Sequence, residues 1–173
     1  MKNIGILGST GSVGTQALDV VRMHPDRFNV VFLSSHSNVE LLKKQTIEFK
    51  PDLVHLYDEN KINEIKNNKN LFNGVEILSG KKGLLELCSY TKSDIILNAI
   101  VGFNGLEPTI KILECGINLA LANKESIVQA GHLVMNLANI NNAKVFPVDS
   151  EHSAIWQCLF GEDIKSVKKI ILT

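Results

Sequence analysis

The sequence predicts an α/β protein built on a doubly wound parallel sheet. Short β-branched runs alternate with longer segments of helical period. Most of those runs are apolar throughout, as strands covered by helices on both faces are. A glycine loop, Gly8-Ser9-Thr10-Gly11-Ser12-Val13-Gly14, stands between the first run and the first helical segment, at the head of a β-α-β unit.

Taken in order, Ile4-Gly5-Ile6-Leu7 reads as the first strand, residues 13–23 as a helix and Val30-Val31-Phe32-Leu33 as the second strand. A helix follows over 38–49 with Leu41, Leu42 and Ile47 for its apolar side, and Leu53-Val54-His55-Leu56 makes the third strand. Asp58 caps a short polar helix ending in Asn67-Asn68-Lys69-Asn70. Val75-Glu76-Ile77-Leu78 and Ile95-Ile96-Leu97 are strands flanking a helical segment through Leu84-Leu85-Glu86-Leu87. Glu107-Pro108 opens another helix, because proline in a first turn lacks only an N–H that would have no helical partner. Residues 117–121 form a strand, 125–137 a helix, and Lys144-Val145-Phe146 a strand; the final run, Val167 to Thr173, also reads as a strand. A chain stopping on a strand is expected to be a truncated one.

At 173 residues the chain can bury one full core and begin a second domain. Its 45% hydrophobic and 21% charged residues, with zero formal net charge, are those of an ordinary globular protein. Lysines lie scattered among acids (Lys43-Lys44, Lys81-Lys82, Lys168-Lys169), so no basic stripe marks a nucleic-acid partner. Cys88, Cys115 and Cys158 are far apart, odd in number and without the C-x-x-C pair that would suggest zinc or a redox dithiol, and a reducing cytosol fits best. The chain enters an apolar strand at once, without a leader pattern, and nothing reaches the ~18 apolar residues of a membrane span. A cytoplasmic protein without membrane contact is the expectation.

The glycine loop lies where a dinucleotide fingerprint belongs. Gly8 suits a tight turn, Gly11 lets backbone approach a pyrophosphate, and Gly14 lets the helix pack closely on the sheet, with hydroxyls of Ser9, Thr10 and Ser12 as further donors. The spacing is G-x-x-G-x-x-G rather than G-x-G-x-x-G, and a tight turn with a small-residue helix contact is the alternative. After the second strand, Ser34-Ser35-His36-Ser37-Asn38 has no acid to hold an NAD ribose, and its hydroxyls, amide and imidazole would not repel a ribose phosphate. NADP is therefore favoured over NAD; His36 is equally readable as an exposed loop residue.

Leu121-Ala122-Asn123-Lys124-Glu125-Ser126 falls where a parallel strand gives way to a helix. Lys124 can hold a substrate oxygen, Asn123 can contact nicotinamide or ribose, and Glu125 can orient either. The competing assignment makes Asn123 a helix N-cap, with Glu125 beside the positive end of the helix dipole. In Pro147-Val148-Asp149-Ser150-Glu151-His152-Ser153, Asp149 and Glu151 share a face if the backbone is extended, and two carboxylates suit Mg²⁺ or Mn²⁺. Asp149 or Ser150 as the N-cap of a helix through residues 154–159 is the alternative.

In that order, the three pieces GSTGSVG, LANKES and PVDSEHSAI resemble the 1-deoxy-D-xylulose 5-phosphate reductoisomerase family, the NADPH enzymes of the non-mevalonate isoprenoid pathway. The resemblance runs over essentially the whole chain and matches roughly the amino-terminal two fifths of such an enzyme. It implies a Rossmann-type NADPH-binding domain over 1–143 and, from 144 to 173, the beginning of a catalytic domain that binds metal and substrate. It further implies that Thr10, Gly11, Ser12 and Val13 bind the pyrophosphate, that His36, Ser37 and Asn38 meet the adenosine ribose phosphate, and that Asn123 and Glu125 complete the cofactor pocket. Lys124, Ser150 and Glu151 would contact the sugar phosphate, with Lys124 and Glu151 catalytic, and Asp149 and Glu151 would ligate Mg²⁺ or Mn²⁺. The implied reaction is isomerisation and reduction of 1-deoxy-D-xylulose 5-phosphate to 2-C-methyl-D-erythritol 4-phosphate, in a homodimer when full length.

The chain departs from the family at the second loop, which commonly reads Ala-Gly-x-Asn with a basic x. Here His36 replaces the glycine and Ser37 carries no charge. A third metal carboxylate and the phosphate-binding residues would lie past Thr173, so the fragment alone is expected to be inactive. Two rivals remain: a standalone NADP-binding module without catalysis, and a semialdehyde-type dehydrogenase acting through a cysteine thiolate.

Overall fold

The structure is a computed structural model, and it describes residues 1–67 and 72–171. Seven strands form one sheet in the order β4-β3-β2-β1-β5-β6-β7, each pair parallel. They are β1 (Lys2–Leu7), β2 (Phe28–Ser35), β3 (Leu53–Leu56), β4 (Glu76–Ser79), β5 (Ile95–Asn98), β6 (Asn118–Leu121) and β7 (Val145–Pro147). The chain winds outward from β1 to β4, returns to β5 beside β1, and winds outward again to β7. That reversal puts a crevice at the carboxyl ends of β1 and β5, the switch point where such sheets take ligands.

Helices cover both faces, and each face has its own core. Leu18 and Val21 of α1 (Ser12–Met23) and Leu42 of α2 (Val39–Phe49) pack with Ile6, Leu33 and Val54 of the strands. Ile65 of α3 (Ile62–Lys66) completes that side. The opposite face buries Leu84 and Leu87 of α4 (Gly80–Cys88), Ile112 and Leu113 of α5 (Leu106–Glu114), and Val134 and Ala138 of α6 (Lys124–Ile140). Because successive strand side chains point to opposite faces, neighbours such as Ile6 and Leu7 enter different cores, and the strands must be apolar at nearly every position.

Pro108 sits in the first turn of α5, as expected. On α2 the buried positions are Val39, Leu42, Gln45 and Thr46, while Ile47 is half exposed, which corrects the apolar side read from the sequence. Gln45 is inside because it holds the glycine loop from below. Asp58 caps a 3-10 turn, Glu59–Lys61, that leads into α3; Asn68, Lys69 and Asn70 lie outside the described residues.

The last helix, α7 (Ser150–Leu159), packs beside β7 and buries no residue. Residues 167–171 are not a strand, contrary to the sequence reading; they follow a 3-10 turn, Ile164–Ser166, and Val167, Lys169, Ile170 and Ile171 line a groove against α7, with no strand beside them among the described residues. Leu172 and Thr173 lie outside the described residues. Among the described residues no helix is long and apolar enough to cross a membrane.

Candidate functional site

The glycine loop turns sharply out of β1. Gly8 has φ of +80°, and a Cβ there would stand 2.9 Å from the carbonyl oxygen of Ala99, so the position needs glycine twice over. At Gly14 a Cβ would come within 2.2 Å of the Gly8 carbonyl oxygen, and it is this absence of a side chain that lets α1 press against the loop.

Ser9 is fully buried. Its hydroxyl donates to Gln45 Oε1 at 2.8 Å, and Gln45 Nε2 donates back to the Ser9 carbonyl at 2.9 Å. The Ser9 hydroxyl is thus an anchor for the loop and not a donor to a phosphate, a correction to the sequence reading. Thr10 Oγ1 lies 2.8 Å from Ser35 Oγ, which ties the loop to the end of β2. Gly11 and Ser12 are exposed at the start of α1, whose N-cap, Gly11, offers no side-chain oxygen. The first-turn N–H groups there keep their hydrogen-bonding capacity and sit at the positive end of the helix dipole. Val13 turns its side chain toward the core while its amide stays in that first turn.

Beside the loop lies a cavity of about 330 Å³, walled by Gly8, Thr10 and Gly11, by Ser34 to His36, and by residues 99–101 after β5. His36 is exposed and stacks on Tyr57, with ring centroids 5.3 Å apart and planes at 21°. Asn38 caps α2, its Oδ1 accepting from Leu41 N–H at 3.1 Å, and the Ser37 carbonyl accepts from Lys61 Nζ at 3.4 Å. His55 forms part of the cavity wall, and burial lowers its pKa. Sequence reasoning missed Tyr57, Lys61, His55 and the turn after β5; of these only Gly102, with φ of +73°, left a trace as a glycine.

Asn123 is the N-cap of α6, the assignment weighed against a ligand contact. Its Oδ1 accepts from Ser126 N–H at 3.0 Å, and its Nδ2 donates to the carbonyls of Ile100 and Gly102, both at 2.8 Å. The buried amide therefore pins the turn that walls the cavity. Glu125 sits in the first turn of α6 and accepts from Asn123 Nδ2 at 3.2 Å.

Asp149 and Glu151 do not lie on one extended segment, which corrects the alternation argument. Asp149 is the N-cap of α7, and its Oδ2 accepts from His152 Nδ1 at 2.7 Å, while Ser150 and Glu151 begin the helix. Glu151 Oε1 accepts from Lys124 Nζ at 2.6 Å. β6 and β7 are parallel neighbours, so the loops at their carboxyl ends meet and the two charged motifs come together. The Lys124 ammonium, helped by the Ser150 hydroxyl, holds the Glu151 carboxyl down at about 2, and Glu151 in turn raises Lys124. Among the described residues no third carboxylate, histidine or cysteine joins Asp149 and Glu151 in a metal-ligating group. Of the three cysteines, Cys88 is unsuited to act as a thiolate, because burial pushes its thiol up to about 12; Cys115 is half-buried and Cys158 exposed.

A model of the 1-deoxy-D-xylulose 5-phosphate reductoisomerase family matches residues 4–131, and a model of that family's C-terminal domain matches residues 145–173. The chain belongs to this reductoisomerase family. The reductoisomerase of Macrococcus caseolyticus is 47% identical over 173 residues, which is all of this chain and 45% of that protein. The chain thus spans under half the length of this curated relative. A reductoisomerase structure in complex with NADPH, fosmidomycin and magnesium superposes with a TM-score of 0.87 at 37% identity, over 91% of this chain and 39% of that one. The Zymomonas mobilis reductoisomerase in complex with NADPH gives 0.85 at 33% identity, over 91% of this chain and 41% of that one.

Proposed function

We propose that the protein carrying this chain converts 1-deoxy-D-xylulose 5-phosphate to 2-C-methyl-D-erythritol 4-phosphate in the cytoplasm, with NADPH and Mg²⁺ or Mn²⁺. On this reading it acts as a homodimer without nucleic-acid or membrane partners. Residues 1–143 form the NADPH-binding unit and 144–173 begin the metal- and substrate-binding unit, with β7 shared along the sheet. The observation that carries the reading is the Lys124–Glu151 contact, which joins two sequence motifs at the same sheet edge as the glycine loop.

The residues fit both groups. For a dinucleotide there is a loop whose Gly8 and Gly14 admit no Cβ, an uncapped α1 whose N–H groups stay free to bond, and a cavity between the ends of β1, β2 and β5. For a cation, Glu151 already grips the Lys124 ammonium, and Asp149 supplies a second hard oxygen donor one residue from it across Ser150. Two carboxylates suit a divalent ion that keeps water or substrate oxygens in its remaining positions.

Thr10, Gly11, Ser12 and Val13 would hold the pyrophosphate: Thr10 by its hydroxyl, Ser12 and Val13 by backbone N–H groups, and Gly11, whose own N–H donates to the Gly8 carbonyl at 3.0 Å, by letting the backbone approach closely. His36, Ser37 and Asn38 would meet the adenosine ribose phosphate. Asn123, with Glu125, shapes the rest of that pocket through the turn it holds. Asp149 and Glu151 would ligate the metal. When bound, NADPH supplies a hydride and the divalent ion supplies Lewis-acid stabilisation of substrate oxygens. Lys124, Ser150 and Glu151 bind and orient the sugar phosphate; Lys124, freed from Glu151, offers three N–H donors to a substrate oxygen.

The test is a pair of variants, Asp149→Asn and Glu151→Gln, in the full-length protein. Mn²⁺-dependent turnover is expected to vanish in both while NADPH fluorescence titrations stay unchanged. Normal metal dependence in both would defeat the ligand assignment. For the 173-residue chain by itself a module that binds NADP without turnover is the reading favoured by its two-carboxylate metal set. Turnover by that chain alone would refute it.

A further inference from the structure

We propose that Lys61 supplies the cation that selects a 2′-phosphorylated dinucleotide, a task that the uncharged Ser37 leaves undone; this rests on the reading of the crevice as a dinucleotide site. In a doubly wound fold the adenosine ribose lies at the end of the second strand. Here that place is the loop from Ser35 to Asn38, and its own side chains carry no fixed positive charge.

Lys61 comes from the neighbouring strand's loop. It ends the 3-10 turn after β3, and its ammonium reaches the Ser37 carbonyl at 3.4 Å, a long bond that leaves most of its donor capacity unspent. Among the described residues Lys61 has no ion-pair partner within 4.0 Å. Nearby in sequence, Asp58 Oδ1 is engaged locally, accepting from the backbone and side chain of Asn60 at 3.1 and 3.2 Å.

The two loops are also fastened together. Tyr57 N–H donates to the Ser35 carbonyl at 3.0 Å, Asp58 N–H to the His36 carbonyl at 2.8 Å, and the His36 ring lies on Tyr57. The backbone that carries Lys61 is therefore fastened beside the β2 loop, and its ammonium reaches that loop at the Ser37 carbonyl. A phosphate at Ser37 and Asn38 would also face the positive end of α2, so Lys61 adds a point charge where the helix supplies only partial ones.

The experiment is calorimetric titration of NADPH and NADH into the 173-residue chain and its Lys61 and Ser37 variants, with circular dichroism on each. The parent is expected to prefer NADPH, and Lys61→Gln to weaken NADPH about tenfold while NADH moves less than about twofold. Lys61→Arg should keep the parent's preference, and adding Ser37→Lys to Lys61→Gln should restore it. In the parent background Ser37→Lys should gain less than about threefold, because the charge is already present; a tenfold gain would overturn the proposal even if Lys61→Gln fails to fold. An unchanged NADPH-to-NADH ratio in folded Lys61→Gln would overturn it as well. A parent that binds neither dinucleotide would instead overturn the crevice reading beneath it.

Discussion

His55 is fully buried in β3 with both ring nitrogens bonded, to Ser34 Oγ at 2.9 Å and to the Gly80 carbonyl at 2.8 Å. A carbonyl only accepts, so Nε2 carries the proton and Nδ1 accepts from the serine. Burial holds the folded-state pKa below the ordinary histidine value. Above about pH 6.5 both folded and unfolded chains hold a neutral His55 and its contribution is complete. As pH falls from there through the folded pKa, the unfolded chain takes up the proton first, and stability is lost. Urea midpoints measured on either side of that window should fall with acid in the parent and fall less in His55→Gln; equal pH dependence would refute the assignment. Gly14→Ala is the harsher change, since its Cβ would stand 2.2 Å from a backbone oxygen that cannot move aside. It should weaken NADPH binding by tenfold or more, roughly 1.4 kcal/mol, in a fluorescence titration. Gly8 and Gly14 were legible in the sequence because a backbone need shows in the residue itself. The inward turn of Ser9 was not, because its partner Gln45 stands 36 positions along the chain and only the fold joins them.

At the scale of elements, α1 and α7 make a contrast. Leu18 and Val21 anchor α1, each fully buried apolar side chain contributing about 1.5–3 kcal/mol, whereas α7 has none. What holds α7 is its Asp149 cap, the Lys124–Glu151 pair and the edge-on contact of Trp156 with Phe146. Hydrogen exchange is expected to be orders of magnitude faster in α7 than in α1 and β1, because α7 can open without exposing a core. Protection of α7 equal to that of α1 would show that it is packed against something its own surface does not reveal. The same logic separates the legible elements from the illegible ones. Strands β1 to β6 were readable because each carries a short, mostly apolar run, as suits a sheet covered on both faces. Residues 167–171, Val-Lys-Lys-Ile-Ile, also contain β-branched residues, but among the described residues no strand lies beside them, and composition alone does not make a strand. The β7–α7 junction misled for a related reason: alternation of Asp149 and Glu151 implies a shared face only while the chain is extended, and a good N-cap residue ends the extension at Asp149.

For the molecule as a whole, the loops that follow β1, β2, β5, β6 and β7 gather at one edge of the sheet, yet the two halves of that edge are unequally equipped. In the half around the glycine loop, the loops are cross-tied by Ser9, Thr10, Tyr57 and Asn123. The half at β6 and β7, proposed above to take the cation, offers two carboxylates, one already paired with Lys124, in a chain that spans 45% of a relative's length. Ligand that binds only the folded state stabilises it by about 2.7 kcal/mol at a hundred times its dissociation constant. For a domain of this size each kcal/mol raises the melting temperature by roughly 2–4 °C. Saturating NADPH should therefore lift the unfolding temperature of the 173-residue chain by about 5–10 °C. Millimolar Mg²⁺ or Mn²⁺ should lift it by no more than a monovalent salt of equal ionic strength, because a cation must first displace Lys124 from Glu151. In Lys124→Met the competitor is gone, and a small Mn²⁺-dependent rise should emerge while the NADPH shift is retained. A large Mn²⁺ shift in the parent would mean that the metal site is complete within these residues, and the division of the edge into a finished and an unfinished half would be wrong.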